Sequence, residues 1–244
     1  MARSEVIFKE SPDLMPEHQK PEGKPIGQTF SRQSTGFYES WDDLFCATGP
    51  FNEADAASLL PGDMIMLDYN ADGSYRGNYD GAPYGYPTYP QNNYGITLDA
   101  NYKGIQFTAR FIGAYNTTRN ISAHLFYEDN LYVPVHILGD TWTPEYGNEN
   151  PSYPALALDD KFYTPLGSYN QWDGSFFRIQ SIQLSYTLPE NFSNKLRLKG
   201  TRFYVNGRNL YVWTKMPNDG VGVDHGGKNY PTKIQLNFGL NINL

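Results

Sequence analysis

The chain has 244 residues, enough for one all-β domain or two smaller ones, and its net charge of -7 without a basic stripe argues against a nucleic-acid partner. Aromatic residues make up 16% of the chain, and 23 Gly with 17 Pro favour a turn-rich, strand-rich fold over a helical one. A single cysteine, Cys46, excludes a disulfide framework, and the lack of any run of about 18 apolar residues excludes a membrane-spanning helix but not a spanning β-strand.

The first half of the sequence contains two weak strand patterns and one strong hairpin. Residues 4–10 and 28–39 give the weak patterns. The hairpin is predicted for strands at 94–102 and 105–116, where apolar and polar residues alternate on both sides of Lys103-Gly104. A two-residue break of this kind predicts a tight turn between long arms.

The second half contains three further strand patterns, at 176–188, 201–214 and 233–244. In the last of them one parity is apolar throughout, namely Ile234, Leu236, Phe238, Leu240, Ile242 and Leu244. Because successive side chains of a strand point to opposite faces, these residues would line one side, over more than the roughly 9–11 residues that a tilted transmembrane strand needs. Taken alone, the segment fits an amphipathic strand of a soluble sandwich or barrel equally well.

The connections between these strands, about seven in all, are very unequal in length. Residues 40–92 and 117–175 form long stretches rich in Tyr, Gly, Pro, Asn and Asp, far above the median of roughly 4–6 residues for a compact domain. Outer-membrane barrels have short periplasmic turns and longer extracellular loops. The pattern therefore predicts an all-β fold, an antiparallel transmembrane β-barrel segment with long extracellular loops.

Four blocks of the sequence carry a family resemblance. Residues 173–189 read DGSFFRIQSIQLSYTLP, residues 202–210 read RFYVNGRNL, LPGD at 60–63 precedes DYNADG at 68–73, and YPT at 230–232 leads into the terminal strand. These blocks resemble, in order and spacing, conserved segments of the SusC/RagA family of TonB-linked outer-membrane transporters. The resemblance covers about residues 26–244 and departs at Leu244, where an aromatic is usual, and at Ala71, where glycine is usual.

The resemblance implies that the chain is the C-terminal part of a TonB-dependent receptor, with its strands belonging to a barrel of roughly 22. It implies an outer-membrane importer of oligosaccharides or peptides rather than an enzyme, capped by a SusD-like surface lipoprotein. TonB would act through a plug domain that we expect to be absent from this chain, so Met1 would be an internal start or a cut in a longer one. The expected barrel-assembly signal comprises Phe238, Leu240, Ile242 and Leu244.

One loop has the opening of a calcium-binding motif. Oxygen-bearing side chains stand at positions 1, 3 and 5 of an EF-hand-type loop, and Gly73 stands at position 6. Position 12 is Tyr79 rather than Glu, although Asp80 is adjacent, so a turn in which Asp and Asn bond their own backbone is the alternative. The candidate ligands of a structural Ca²⁺ are Asp68, Asn70 and Asp72.

No pattern predicts catalysis. The four histidines, His18, His124, His136 and His225, share no metal-ligand spacing. Glu145 and Asp159-Asp160 are carboxylates, but their spacing in sequence does not predict the separation that a glycosidase pair needs.

Loop tryptophans are weak candidates for substrate binding. Trp41, Trp142 and Trp172 could stack against sugar rings or pack on a lid protein, and aromatics also form girdles at membrane interfaces. The alternative from a different class is a secreted or surface β-sandwich that binds glycans through exposed aromatics.

Overall fold

The computed structural model describes residues 5–7, 15–46, 59–73, 79–120, 139–144, 151–155, 171–189, 191, 199–216 and 232–243. Its elements, in chain order, are a 3-10 turn at Glu17–Gln19, β1 (Phe30–Ser31), β2 (Ser34–Phe37), α1 (Trp41–Cys46), β3 (Met64–Met66), β4 (Ala82–Pro83), β5 (Asn92–Tyr102), β6 (Ile105–Tyr115), β7 (Thr118–Asn120), β8 (Gln171–Asp173), β9 (Phe176–Thr187), β10 (Lys199–Thr214) and β11 (Gln235–Asn243). Within these ranges no helix is long and apolar enough to cross a bilayer.

A five-stranded antiparallel sheet forms the framework, in the order β11-β10-β9-β6-β5. The strands alternate in direction, so the turn at Lys103-Gly104 and the connection at 188–198 lie at one end of the sheet. The connections at 116–175 and 215–234 leave from the other end. The structure therefore places short and long connections at opposite ends.

The hairpin turn has the backbone that its sequence predicts. Lys103 and Gly104 both have positive φ, 46° and 85°, as the type I′ turn of a two-residue hairpin requires. A Cβ on Gly104 would lie 2.7 Å from the carbonyl oxygen of Thr187, because the backbone of β9 passes close to the turn. Only glycine fits there without displacing that strand.

Five strand patterns lie within two residues of observed strands: 94–102, 105–116, 176–188, 201–214 and 233–244 match β5, β6, β9, β10 and β11. The single strand predicted at 28–39 is wrong. That region forms the short strands β1 and β2, which pair with β4 and β3 outside the large sheet. Its register shifts between Ser34 and Gly36, and the polar run before Gly36 offers no apolar face to bury.

The pattern at 4–10 is not a strand over the part that the structure describes. Glu5 makes one isolated antiparallel bridge with Pro25, and Val6 exchanges backbone hydrogen bonds with Lys24 and Gly23. Residues 8–10 lie outside the described ranges. The segment is therefore attached to a neighbouring turn rather than to the sheet.

The buried apolar cluster lies in the predicted loop region, beside α1 and the β2–β3 pair, not on the large sheet. It comprises Tyr38, Leu44 and Leu59, with Ile65 and Met66 packed against it. The helix begins after Ser40, whose hydroxyl accepts a hydrogen bond from the backbone N–H of Asp43 at 3.0 Å. Part of the 40–92 connection is therefore a small packed unit with its own core.

Candidate functional site

The strand register sorts the side chains of the sheet by polarity. One row across all five strands pairs Leu98 with Ala109, Ala109 with Ile182, Ile182 with Gly207, and Gly207 with Leu236. Rows on either side of it are equally apolar. We call this side the outer face. Its exposed aliphatic and phenylalanine side chains are Ile96, Leu98, Ile105, Phe107, Leu184, Phe203, Val205, Leu236, Phe238, Leu240 and Ile242.

The outer face is exposed. Leu184 is 50% exposed, Leu236 61% and Phe238 76%. Water-soluble monomers rarely expose a contiguous apolar patch larger than a few hundred Å². Leu240 and Ile242 are also close to half exposed, so the terminal strand does not bury its apolar side in a water-soluble core.

Aromatic side chains border the outer face at both ends. At the end with the long connections, the rings of Phe111 and Phe177 stack with centroids 5.7 Å apart, and Phe177 lies 5.4 Å from Trp213. Tyr94 and Tyr211 join this border, through Phe177 and Trp213 respectively. The opposite border includes Tyr102, Tyr186 and Phe203.

The distance between the two aromatic borders is close to the height of the apolar band of an outer-membrane barrel. Tyr94 and Tyr102 are eight residues apart on β5, or about 27 Å along a strand at about 3.4 Å per residue. A strand tilt of about 40° shortens this to about 20 Å along the membrane normal, close to the apolar band of about 25 Å in outer-membrane barrels.

Two tyrosines lie over glycines of the neighbouring strand. A Cβ on Gly239 would overlap the ring of Tyr204, its direct partner across β10 and β11. A Cβ on Gly113 would overlap the ring of Tyr94, its partner across β5 and β6. In each pair the ring covers backbone that the glycine leaves open, which fixes the two strands against each other.

The opposite side of the sheet, which we call the inner face, is polar and hydrogen-bonded. Arg202 donates through Nη2 to Gln106 Oε1 at 2.9 Å and to Ser185 Oγ at 2.8 Å, linking β10, β9 and β6. Asn206 donates through Nδ2 to Gln183 Oε1 at 3.3 Å. Such a face is suited to water rather than to lipid, because polar groups in lipid must find their partners within the protein.

The acidic loop is a compact turn. The Asp68 carboxylate accepts hydrogen bonds from the backbone N–H groups of Asp72 at 3.2 Å and Gly73 at 2.9 Å, and Asn70 Oδ1 accepts from Asp72 N–H at 3.1 Å. These are the bonds of the Asx turn that the sequence offers as an alternative to calcium. Among the described residues, no group of three or more acidic, His or Cys side chains is arranged to hold a metal ion.

Asp80 lies next to this turn. It is 1% exposed, its Oδ1 accepts a hydrogen bond from Tyr69 N–H at 3.1 Å, and its Oδ2 has no hydrogen-bond partner. Burial raises the pKa of Asp80 above its ordinary value, and the charges of Asp68 and Asp72 act in the same direction. The turn therefore has oxygen donors of the kind that calcium prefers, but several are already engaged by backbone N–H groups.

The three loop tryptophans do not form one site. Trp41 is 52% exposed and stacks on Phe45 at 5.9 Å within α1. Trp142 covers Gly62, where a Cβ would overlap its ring. Trp172 belongs to β8, where it is paired with Arg119 of β7.

The remaining candidates have structural surroundings or lie outside the described residues. His18 contacts the Tyr79 carbonyl oxygen through Nε2 at 2.8 Å, and its ring lies 4.7 Å from that of Tyr69. Phe238, Leu240 and Ile242 of the expected assembly signal point to the outer face. The residues outside the described ranges are His124, His136, Glu145, Asp159, Asp160, His225 and Leu244.

Comparison with known proteins adds direct relatives, although no family model matches the chain. The chain is 26% identical over 240 residues to the TonB-dependent receptor P3 of Formosa agariphila, covering 91% of this chain and 22% of the relative. It is 26% identical over 209 residues to the TonB-dependent receptor P26 of the same organism, covering 78% of this chain and 21% of the relative.

Among solved structures, the chain is similar in fold to a transporter. The RagAB peptide importer in its open-open state superposes with a TM-score of 0.65 at 19% identity, covering 99% of this chain and 25% of that one. Its closed-closed state gives a TM-score of 0.61 at 19% identity, covering 98% and 25%. The chain is thus similar in sequence to TonB-dependent receptors and in fold to the RagAB peptide importer.

The resemblance read from the sequence is therefore confirmed, and so is the fold class, an all-β antiparallel segment of a β-barrel transporter. The chain spans about a fifth of the length of the curated relatives it matches, 22% and 21%. The five-stranded sheet has one apolar and one polar side.

The geometry makes three residues notable, Asp80, Arg110 and Arg208, of which the sequence pattern indicates Asp80 only as the neighbour of position 12 and does not indicate the two arginines. The adjacency of Asp80 to position 12 of the acidic loop is a signal for the first. The polar parity of β6 and β10 contains the two arginines, but their common row depends on inter-strand register.

Proposed function

We propose that this chain forms part of the barrel wall of an outer-membrane, TonB-dependent importer. The supporting observation is the outer face, an exposed apolar surface bordered at both ends by aromatics and opposed by a polar inner face. Lipid is the solvent in which such a surface is stable, because no water is ordered around it there.

The cargo and partners follow from the family. We propose that the importer takes up peptides or oligosaccharides, that a SusD-like surface lipoprotein delivers them at the end with the long connections, and that TonB supplies energy through a plug domain. The fold shared with the RagAB peptide importer favours peptides. The chain's own contribution is passive, since it would line the pathway without forming or breaking bonds in the cargo.

The rival hypothesis of a glycan-binding β-sandwich requires a second sheet on the apolar side. Leu236, Leu240 and Ile242 are exposed instead, at 61%, 49% and 46%. The loop tryptophans also lie in separate parts of the fold rather than on one platform. We therefore favour the barrel wall.

Gene deletion tests the importer. Cells lacking the gene are grown on defined peptides or defined oligosaccharides as sole nitrogen or carbon source, and the tagged protein is located by membrane fractionation. We expect slower growth on one of the two nutrient classes, rescue by the complete gene, and protein in the outer-membrane fraction. Normal growth on both classes, or protein in the cytosolic fraction, would contradict the proposal.

The 244-residue chain alone gives a second test. Reconstituted into liposomes, it is expected to show no uptake, because the five long strands that the structure describes form an open sheet and enclose no lumen. Uptake by the isolated chain would contradict the assignment to a wall segment.

We also propose that the acidic loop binds a structural Ca²⁺ through Asp68, Asn70 and Asp72, with the Asp80 carboxylate as a fourth ligand. The unpartnered Oδ2 of the buried Asp80 supports this. Binding requires these side chains to rearrange, because the described residues do not already form a metal site and the Asp68 and Asn70 oxygens accept backbone hydrogen bonds. A bound dication would neutralise the repulsion among the three carboxylates and would order the turn beside β4.

A further inference from the structure

Two arginines share one row of the inner face with a serine between them. Arg110 of β6 and Arg208 of β10 are both registered to Ser181 of β9. Neighbouring strands are about 4.8 Å apart, so the two arginine Cα atoms are about 10 Å apart. Two long side chains can close that distance on one small anion above the serine hydroxyl.

Both arginines are available for such a contact. They are exposed, and neither makes a hydrogen bond or ion pair with another residue among those that the structure describes. Asp99 of β5 lies opposite Thr108, two residues before Arg110 on β6. Its carboxylate accepts a hydrogen bond from the Thr108 hydroxyl at 2.7 Å instead of pairing with the arginine. The row therefore presents two guanidinium groups to whatever occupies the lumen.

The backbone around this row departs from regular pairing. The β6–β9 register shifts between Arg110 and Phe111, and the β9–β10 register shifts between Arg208 and Tyr211. Asn209, next to Arg208, has φ of 53°, which is uncommon for a residue other than glycine. Bulges re-aim side chains and are frequent beside functional sites, so these two shifts mark the row as a built feature.

The charge of the wall also differs from that of the chain. The five strands contain five basic residues and one acidic residue, although the whole chain has a net charge of -7. Arg202 is bonded to Gln106 and Ser185, and Arg178 is buried, so these two are already engaged. Arg110 and Arg208 remain as exposed cations on the inner face.

We propose that Arg110, Ser181 and Arg208 form a carboxylate-binding row on the inner face, which selects cargo carrying an acidic group. The proposal rests on the proposed importer, because only there does the inner face line a lumen. A guanidinium group binds a carboxylate with two parallel hydrogen bonds, and the serine hydroxyl donates a third contact. A neutral cargo of the same shape would leave both arginines uncompensated.

Arginine footprinting tests the row directly. The full-length receptor, purified from outer membranes, is treated with phenylglyoxal, and modification at Arg110 and Arg208 is followed by mass spectrometry with and without glutarate. We expect glutarate to protect both arginines and the uncharged glutaramide to protect neither. In Arg208→Gln, the glutarate concentration that half-protects Arg110 is expected to rise about tenfold, the effect of losing one charged hydrogen-bonding partner.

The matched control is Lys103→Gln, which removes one positive charge at the hairpin turn, away from the row. It should leave protection unchanged, and Arg110→Gln with readout at Arg208 is the reciprocal variant if Arg208→Gln fails to assemble. Equal protection by glutaramide, no protection by glutarate, or the same loss in Lys103→Gln would overturn the proposal.

A further outcome shows whether the row binds cargo or another segment of the receptor. If both arginines are unreactive before any glutarate is added, another segment of the receptor occupies the row, and the assignment to cargo is overturned. The footprint does not depend on uptake. If the footprint is as expected but the deletion strain grows normally, the importer proposal is rejected and the carboxylate-binding row is retained. The failures of the two proposals can therefore be told apart.

Discussion

Whether a strand glycine on this sheet can be replaced depends on what lies over its Cα atom. Tyr204 occupies the space in which a side chain at Gly239 would lie, whereas Gly95 has only ordinary contact, with the Phe111 carbonyl oxygen 3.6 Å from a built Cβ. Both glycines are in strands, so both have the same backbone freedom to lose on folding. The difference between them is packing alone.

This difference gives a paired prediction. Gly239→Ala is expected to destabilise the receptor by about 1–3 kcal/mol, because Tyr204 must leave its position. Gly95→Ala is expected to be neutral or to stabilise by up to about 1 kcal/mol, through reduced freedom of the unfolded chain. Denaturant titration of the receptor in lipid vesicles measures both, and equal losses in the two variants would contradict the role of the ring.

The raised pKa of Asp80 predicts that the stability of the acidic turn depends on pH. Its pKa is raised in the folded state, so the folded protein holds the proton more tightly than the unfolded chain. The stabilisation is present below the ordinary value of 3.8 and is lost as pH rises through the raised pKa. In calcium-free buffer, hydrogen exchange at the Tyr69 amide should accelerate over that window, after correction for intrinsic exchange, and Asp80→Asn should abolish the change.

Calcium should act on the same turn in the opposite sense. At a concentration about 100 times its Kd, a bound ion would stabilise the turn by about 2.7 kcal/mol and slow exchange at the Tyr69 amide. Asp68→Asn and Asp80→Asn should each weaken that protection. The exposed Asp42 provides the control Asp42→Asn, and a turn whose exchange ignores calcium at millimolar concentrations would exclude the site.

At the scale of the element, β9 has one apolar and one polar side. Ile182 is in the middle row of the outer face, and Gln183 beside it points to the inner face. A charge on the lipid side near the bilayer midplane costs about 2–4 kcal/mol, whereas substitutions facing the lumen are tolerated.

Arginine at each of these two positions tests which side meets lipid. Ile182→Arg should lower the free energy of unfolding by about 2–4 kcal/mol and reduce the assembled fraction seen by heat-modifiable gel migration. Gln183→Arg introduces the same side chain one residue further and should assemble normally. A larger defect for Gln183→Arg would mean that the two faces are reversed.

The sequence predicts the long strands well because their alternation is strong. In β5 and β11 every second residue is apolar or small over nine residues or more, and the strand bounds follow. It does not predict β1 or β2, where too few residues repeat to reveal a face. Short pairs of this kind depend on tertiary contacts, such as the Tyr38 cluster, that periodicity does not contain.

The candidate sites divide in the same way. The acidic turn is local, so the positions of Asp68, Asn70 and Asp72 could be predicted from spacing. The contact of Asp80 with Tyr69 closes an 11-residue loop, and the Arg110–Ser181–Arg208 row depends on pairing across a connection of about sixty residues. Neither follows from a one-dimensional pattern.

At the scale of the whole molecule, the buried apolar cores and the large sheet are in different places. The apolar cluster around Tyr38 belongs to the connection region, and most of the large apolar side chains on the outer face of the sheet remain exposed. This arrangement is the reverse of a water-soluble sandwich, in which the sheets enclose the core.

The arrangement predicts how the isolated chain behaves. Expressed alone in detergent-free buffer, it should be insoluble or form large aggregates, because the outer face and the edge strands β5 and β11 are open. Light scattering and sedimentation in the presence and absence of detergent measure this. A monomer without detergent that melts cooperatively would favour the sandwich hypothesis.

The unequal connections of the sheet separate the parts of the sequence that can drift from those that cannot. At the hairpin turn the backbone of β9 leaves no room for a side chain at Gly104, whereas at the other end about sixty residues join β6 to β9. Substitutions and insertions can therefore accumulate in the long connection while the strands and their pairing stay the same. The same sheet can carry connections that suit different nutrients.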